Sequence, residues 1–435
     1  MTISEMFSEF LSNLVINNTD IISLRYGEVT SALNKQFRDT DSKTANSLQI
    51  GSFGRKTAIN GISDLDMLYI MPKTSWDNYN DENGPEKILG KTREAILARY
   101  PTTEVKVDRC IVSVSYTDFH IEIQPVFEQD DESYKYPDTY DKCWKTTKPR
   151  QEMDAIASMD LNKNGNLRNL CKMIRAWKNK HGVEMGGLLI DTLAYNFFVQ
   201  TQKYDDKSYL YYDFLSRDFF EYLSEEPKQE FYLAPGSNQR VKVKKAFQTK
   251  AKKAYNLCLD AITAEREKGV NDKWKKVYGR PFPANNDDAS AVESFYSTAN
   301  INYSDTEQYI EDFYRVDIRY TLKIDCDVSQ NGFREHGLLD MIRNHIPLLA
   351  RKRLKFKIIE INIPPPYKIM WKVLNRGDEA KKRDDIRGQI IDDEGRKERY
   401  ENTKFKGDHI VECYAIKDGV VVATDRIHVP ITTSL

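Results

Sequence analysis

The chain has 435 residues, is 40% hydrophobic and 11% aromatic, and carries a formal net charge of −1 with 30% charged residues. That length predicts two or three domains, and the apolar content excludes a disordered protein. The balanced charge excludes a general basic coat for nucleic acid, so any polyanion site must be local.

Six scattered cysteines form no CxxC pair, and there are six histidines. This argues against zinc and reads as reduced core thiols of a cytoplasmic protein. No run reaches the roughly 18 apolar residues of a membrane span, so no membrane partner is expected. The start, MTISEMFSEFLSNLV, has an early Glu and no basic region, unlike a secretory signal.

Residues 1–45 read as helix, with Phe7, Phe10, Leu11, Leu14 and Val15 at helical spacing. LQIGSFG (48–54) reads as a strand entering a glycine turn, and DLDMLYIMP (64–72) as an apolar strand stopped by Pro72. A helix over about 84–99 and alternating strands over 103–115 and 118–127 complete an α/β unit on a mixed sheet. From 150 to 283 the pattern is mostly helical. Leu167, Leu170, Cys171, Ile174 and Trp177 share one helix face, and 186–200 is apolar enough to be buried. The polar stretch ANNDDASA (284–291) starts a linker. Beyond it, 315–325, 354–363, 367–375, 408–416 and 419–429 alternate as strands, with one helix over 337–352. The fold class expected is α/β and α+β. Its domains are a catalytic lobe over 1–160, a helical lobe over 161–285, a linker over 286–304 and a strand-rich unit over 305–435.

Gly51-Ser52 is followed, eleven residues later, by Asp64-Leu65-Asp66. Alternate side chains on a strand share a face, so Asp64 and Asp66 point the same way while Leu65 reaches a core. Two such carboxylates repel unless hard divalent cations lie between oxygen ligands. Gly51 lets the backbone approach a ligand, Ser52 adds a hydroxyl, and the free N–H groups of such a turn suit triphosphate oxygens. On the next strand Asp118, His120, Glu122 and Gln124 share a face. A carboxylate there completes a three-carboxylate site for two Mg²⁺ or Mn²⁺ ions. Parity alone does not choose between Asp118 and Glu122. Together these features read as a nucleotidyltransferase that takes nucleoside triphosphates.

GSFGRKTAINGISDLDMLYIM resembles the signature of the bacterial cyclic-oligonucleotide synthases, the cyclic GMP–AMP synthase/DncV-like nucleotidyltransferases (CD-NTases) of the DNA polymerase β superfamily. HIEIQPVF (120–127), YPDTYDKCWKTTKPRQ (136–151) and NLRNLCKMIRAWKNKHG (166–182) carry the same likeness, over roughly residues 1–285. The resemblance implies a bilobal polymerase β-like fold and a product that is a cyclic di- or trinucleotide. It also implies a separate effector activated by that product in anti-phage defence. It places the third metal ligand three residues before Pro125, at Glu122, where Asp is commoner. It puts a basic residue of the 166–181 helix on the triphosphate. Arg168, Lys172 and Arg175 share a face there; Lys172 is the first choice and Arg175 the second. The small hydroxyl the family offers near the next helix is replaced here by Gly186-Gly187.

The basic run RVKVKKAFQTKAKK (240–253) is either a groove for a nucleic-acid activator or a solvated face. The last third resembles the adenylyl/guanylyl-cyclase- and SMODS-associated sensor domain through Trp371, Asn375, Arg387, Glu401, His409 and Glu412. That likeness implies a ligand of its own. Two other readings remain open. In one, the same chemistry gives linear oligonucleotides or transfer to an RNA or protein acceptor; in the other, the chain binds nucleotide without turnover.

Overall fold

A computed structural model describes residues 1–117, 119–265, 267, 269–284, 308–329, 336–344, 346–350, 352–375, 378–383, 385, 387–403 and 405–432. The expected linker over 286–304 and the alternative ligand Asp118 lie outside these residues. The chain divides into two units, one of Met1–Trp177 with Met185–Ala284, the other of Lys178–Glu184 with Asn285–Leu435.

The first unit opens with two helices rather than one, α1 (Ile3–Asn13) and α2 (Thr19–Arg38). Thr2 and Glu5 form a capping box that satisfies the first N–H groups of α1. Then come β1 (Ser47–Gln49), a single turn α3 (Gly51–Gly54), β2 (Asp64–Ile70) and α4 (Gly84–Arg99). β3 (Glu104–Asp108), β4 (Ile111–Ser115) and β5 (His120–Glu128) follow, with a hairpin of β6 (Tyr134–Asp138) and β7 (Cys143–Thr147) that the sequence reading missed. The sheet runs β1-β2-β5-β4-β3, with β6 and β7 continuing from β5. β2 and β5 are parallel and the other pairs antiparallel.

Alternation on β2 decides which face is core. Leu65, Met67 and Tyr69 are 2% exposed or less and pack with Ile22, Val29 and Leu33 of α2 and Ile88, Leu89 and Ile96 of α4. Burying each such side chain contributes about 1.5–3 kcal/mol, so a slip of one residue on β2 would forfeit several of these at once. The opposite parity leaves Asp64 and Asp66 half-buried on the other face.

The helical part holds α5 (Pro149–Asn162), α6 (Asn166–His181), α7 (Gly187–Gln200), α8 (Tyr212–Glu225), a small hairpin of β8 (Phe231–Leu233) and β9 (Arg240–Lys242), α9 (Gln248–Thr263) and α10 (Val270–Tyr278). The basic run over 240–253 is divided between β9, a loop and the first turn of α9.

The second unit is strand-rich. β10 (Arg315–Val316), β11 (Leu322–Ser329), β12 (His336–Gly337), α11 (Leu338–Arg343), β13 (Leu348–Leu349), β14 (Arg353–Ile361), β15 (Lys368–Leu374), α12 (Asp378–Lys382), β16 (Arg387–Asp392), β17 (Glu398–Asn402), β18 (Gly407–Lys417) and β19 (Val420–Thr432) form its described part. One sheet runs β10-β19-β18-β15-β16 with β13 on β19, and another runs β12-β11-β14-β17. Residues of both, among them Cys326, Phe356, Trp371 and Cys413, share one core. The helix expected over 337–352 is only α11. Pro347 has no N–H and disfavours helical backbone at Ile346, and Leu348–Leu349 instead pair with Ile431–Thr432 of β19. All six cysteines are free. Among the described residues no helix is long and apolar enough to cross a membrane.

Candidate active site

The site begins where β1 turns into α3. Ile50 N–H donates to the Asp66 carbonyl at 3.0 Å, which holds the turn against β2. Gly51 has φ +63, and a Cβ there would stand 1.7 Å from Asp66 Oδ2. Only glycine tolerates both the left-handed backbone and this closeness. Gly54 ends the turn under a similar constraint, since its Cβ would meet the Gln49 carbonyl at 2.5 Å. The group that Gly51 approaches in this structure is the Asp66 carboxylate.

The parallel β2–β5 register sets Asp64 opposite His120 and Asp66 opposite Glu122. Paired residues share a sheet face, and neighbouring strands lie about 4.8 Å apart. Asp64, Asp66, His120 and Glu122 are all half-buried, whereas Leu65, Ile121 and Ile123 are buried on the other face. Strand β4 flanks the far side, with Ser113 opposite Glu122 and Ser115 opposite His120; His120 Nδ1 lies 3.1 Å from Ser115 Oγ. Among the described residues no three acidic, His or Cys side chains already converge as a metal cage. The sheet supplies three carboxylates on one face in adjacent register, a donor set of oxygens alone that suits hard divalent cations.

A buried clamp missed by the sequence reading fixes α3. Asp191 of α7 is fully buried and accepts from Arg55 Nε at 2.8 Å, Thr57 Oγ1 at 2.9 Å and Arg175 Nη1 at 2.6 Å. Burial pushes its carboxyl up, but the Arg175 and Arg55 guanidiniums outweigh that and hold it down at about 2. Arg168 Nε donates to the Arg55 carbonyl at 3.0 Å, and Arg175 Nη2 to the Gly187 carbonyl at 3.1 Å. Asp191 lies 136 residues from Arg55, and no local pattern marks such a partner.

This arrangement separates the two basic candidates on α6. Arg175 is buried and bound to Asp191, so in this structure it positions α3 rather than facing the carboxylates. Lys172 is half-buried and lines a cleft with Phe53, Gly54 and Lys56, and none of Asp64, Asp66 or Glu122 lines that cleft.

In the second unit the six residues of the sensor resemblance fall into two groups. Asn375, Arg387, Glu401 and His409 line one cavity of about 40 Å³, where Arg387 donates to both Glu401 oxygens at 2.7 and 3.0 Å. Trp371 is a core residue, 1% exposed, with its indole N–H on Asp393 at 3.0 Å. Glu412 accepts from Arg426 Nε at 2.6 Å beside Lys372.

Residues 1–160 match the Second Messenger Oligonucleotide or Dinucleotide Synthetase (SMODS) domain, and residues 304–432 match the Adenylyl/Guanylyl and SMODS C-terminal sensor domain. A Bacillus cereus (strain VD146) protein described as a probable cyclic nucleotide synthase is 22% identical over 282 residues, 54% of this chain and 82% of the relative. The cyclic AMP-AMP-AMP synthase of an Acinetobacter strain is 21% identical over 300 residues, 65% of this chain and 86% of the relative. The solved structure of Escherichia coli MS115-1 CdnC with ATP is 15% identical, with 65% of this chain and 99% of that chain covered at a TM-score of 0.48. One domain match spans the carboxylate sheet and the other the strand-rich unit, so the chain joins a nucleotidyltransferase segment similar to the SMODS synthetases to one similar to their C-terminal sensor domain, and it resembles cyclic-nucleotide synthases.

Proposed function

We propose that this chain condenses nucleoside triphosphates into a cyclic di- or trinucleotide. A 2′- or 3′-hydroxyl of one nucleotide attacks the α-phosphate of the next, and pyrophosphate leaves. The observation that carries the reading is the register of β2 on β5, which puts Glu122 beside Asp66, with Gly51 against the Asp66 carboxylate.

Asp64, Asp66 and Glu122 would hold two Mg²⁺ or Mn²⁺ ions. Such ions, when bound, acidify the attacking hydroxyl and offset charge on the leaving pyrophosphate. The chain's own part is positioning. Gly51 and Ser52 open α3, so their N–H groups have no intrahelical partner and are available to phosphate oxygens. The Asp191 clamp keeps that turn from shifting as charge develops, and preorganised donors of this kind lower the barrier. A nucleotide product that acts on a separate effector in anti-phage defence, within the cytoplasm, completes the proposal. Its support is the synthase family together with six free thiols.

The test is incubation of the full chain with Mg²⁺ or Mn²⁺ and ribo- and deoxyribonucleoside triphosphates labelled at the α-phosphate, followed by phosphatase. A phosphatase-resistant labelled product, absent with the Asp64→Asn/Asp66→Asn double variant, is expected. A product that loses terminal phosphates would mean linear synthesis. No product from any triphosphate would leave a binding protein without turnover.

A further inference from the structure

A cleft of about 920 Å³ opens in the first unit between α2, β1, α3 and α6. Its place in the sheet follows from strand parity. Ser47 and Gln49, which line it, pair with Tyr69 and Met67 of β2, whose side chains belong to the core beneath α2. Thr30 Oγ1 of α2 donates to Ser47 Oγ at 3.2 Å, which confirms the direction. Asp64 and Asp66 have the opposite parity. Leu48, which also lines the cleft, pairs with Leu68 and has the parity of Asp64 and Asp66, so the cleft opens along the edge strand β1; none of Asp64, Asp66 or Glu122 lines it.

The lining is charged in one sense only. Lys43, Lys56 and Lys172 line the cleft and no acidic residue does, in a chain with 65 basic and 66 acidic residues. Lys43 is partly engaged, 2.5 Å from Glu28. Neither Lys56 nor Lys172 has an ion-pair partner among the described residues. Lys172 is half-buried, and burial pushes its ammonium below the ordinary lysine range. The Asp160 charge opposes that shift without forming an ion pair; withdrawing an ammonium from water still costs free energy, so the cleft favours an anion as a close partner. Thr19 and Ser23 add hydroxyls, and Phe53 and Met153 add apolar surface.

We propose that this cleft binds a small phosphorylated molecule of nucleotide size, as a regulatory site apart from the three carboxylates. The volume falls within the roughly 300–1,000 Å³ of small-molecule sites. Three lysines in a concavity are fewer than the roughly 6–10 phosphate contacts of a duplex-binding surface. Phe53 and Gly54 of the wall continue the same turn that begins with Gly51-Ser52. An occupant therefore presses on the turn that meets Asp66, and its binding is coupled to the geometry of the carboxylate face. This goes beyond the synthase reading and does not depend on turnover.

The experiment uses full-length Asp64→Asn/Asp66→Asn protein in EDTA, titrated with ATP and, separately, with inorganic tripolyphosphate, by calorimetry. Metal-independent binding of one equivalent is expected. It should weaken at least tenfold in a Lys56→Ala/Lys172→Ala background and recover in part with Lys56→Arg/Lys172→Arg. Lys56 is exposed, so Lys56→Ala alone serves as a variant whose folding is not at issue and should still weaken binding. Equal affinity in native and lysine-substituted proteins would overturn the proposal, as would no binding of either probe. A short DNA duplex that displaces ATP at lower concentration than tripolyphosphate does would replace the small molecule with nucleic acid. Because nothing is turned over, an inactive enzyme would leave this result standing.

Discussion

At residue scale, Gly51 and Glu122 carry the sharpest expectations. In Gly51→Ala the new Cβ forces the Asp66 carboxylate to swing away, since they would otherwise stand 1.7 Å apart. The left-handed backbone adds about 1–2 kcal/mol of strain for a non-glycine residue. The variant should melt several degrees lower and lose at least about 10²-fold in turnover, some 2.7 kcal/mol of barrier. Near-native turnover would mean that Asp66 works from another rotamer and that the closeness is incidental. Glu122→Gln keeps the size and removes the charge, so turnover should fall by a similar factor while the melting temperature holds. Glu122→Asp should keep part of the activity, because a carboxylate remains on the same register position. If Glu122→Gln turns over normally and Asp118→Asn is dead, the third ligand is Asp118.

At the scale of elements, the clamp between α3, α6 and α7 decides how firmly the turn is held. Asp191→Asn leaves Arg55 and Arg175 buried against a neutral amide. Breaking a buried ion pair in this way typically costs 3–5 kcal/mol, to be read as a fall in denaturation midpoint. The clamp also carries a pH signature. The folded carboxyl lies at about 2 against an ordinary 3.8, so its contribution is present above about pH 4 and lost as pH falls toward about 2. Acid denaturation of the native chain and of Asp191→Asn should therefore converge below pH 3; a constant gap between them down to pH 2 would assign the stabilisation to other groups. Residue patterns could not announce this clamp. The family resemblance puts a basic residue of this α6 face on the triphosphate, with Arg175 the second choice, and the Asp191 that binds Arg175 here arrives from α7.

For the whole molecule, the unexpected feature is where the units divide. Lys178–Glu184 group with the second unit although α6 begins in the first. Lys178 pairs with Asp317 at 2.7 Å, and Asn179 Nδ2 donates to the Val316 carbonyl at 2.9 Å. A fragment ending at Ala284 strips these partners from the last turn of α6. It should melt at lower temperature than the full chain, and its synthase activity should change several-fold. Asp317→Ala in the full chain should reproduce part of the loss, because Lys178 is 7% exposed and would be left without its carboxylate. Unchanged melting and activity in both would mean that α6 ends independently of the second unit.

Local sequence was sufficient wherever the determining interaction was itself local. The alternation of DLDMLYI fixed which face of β2 is apolar, the Gly51-Ser52 turn followed from its residue types, and parity on HIEIQPVF placed Glu122 on the face it occupies. Pro347, by contrast, ended a helix that apolar spacing alone had extended to 352. What required the tertiary structure were the relations between distant segments. These are the registration of Asp66 with Glu122 across 56 positions of chain, the convergence of Arg55, Arg175 and Asp191, and the gathering of Lys43, Lys56 and Lys172 around one cleft. The physical reason is the same in each case. A side chain's rotamer, burial and charge partner are set by whatever packs against it, and at these positions the packing partners come from elements that only folding brings together.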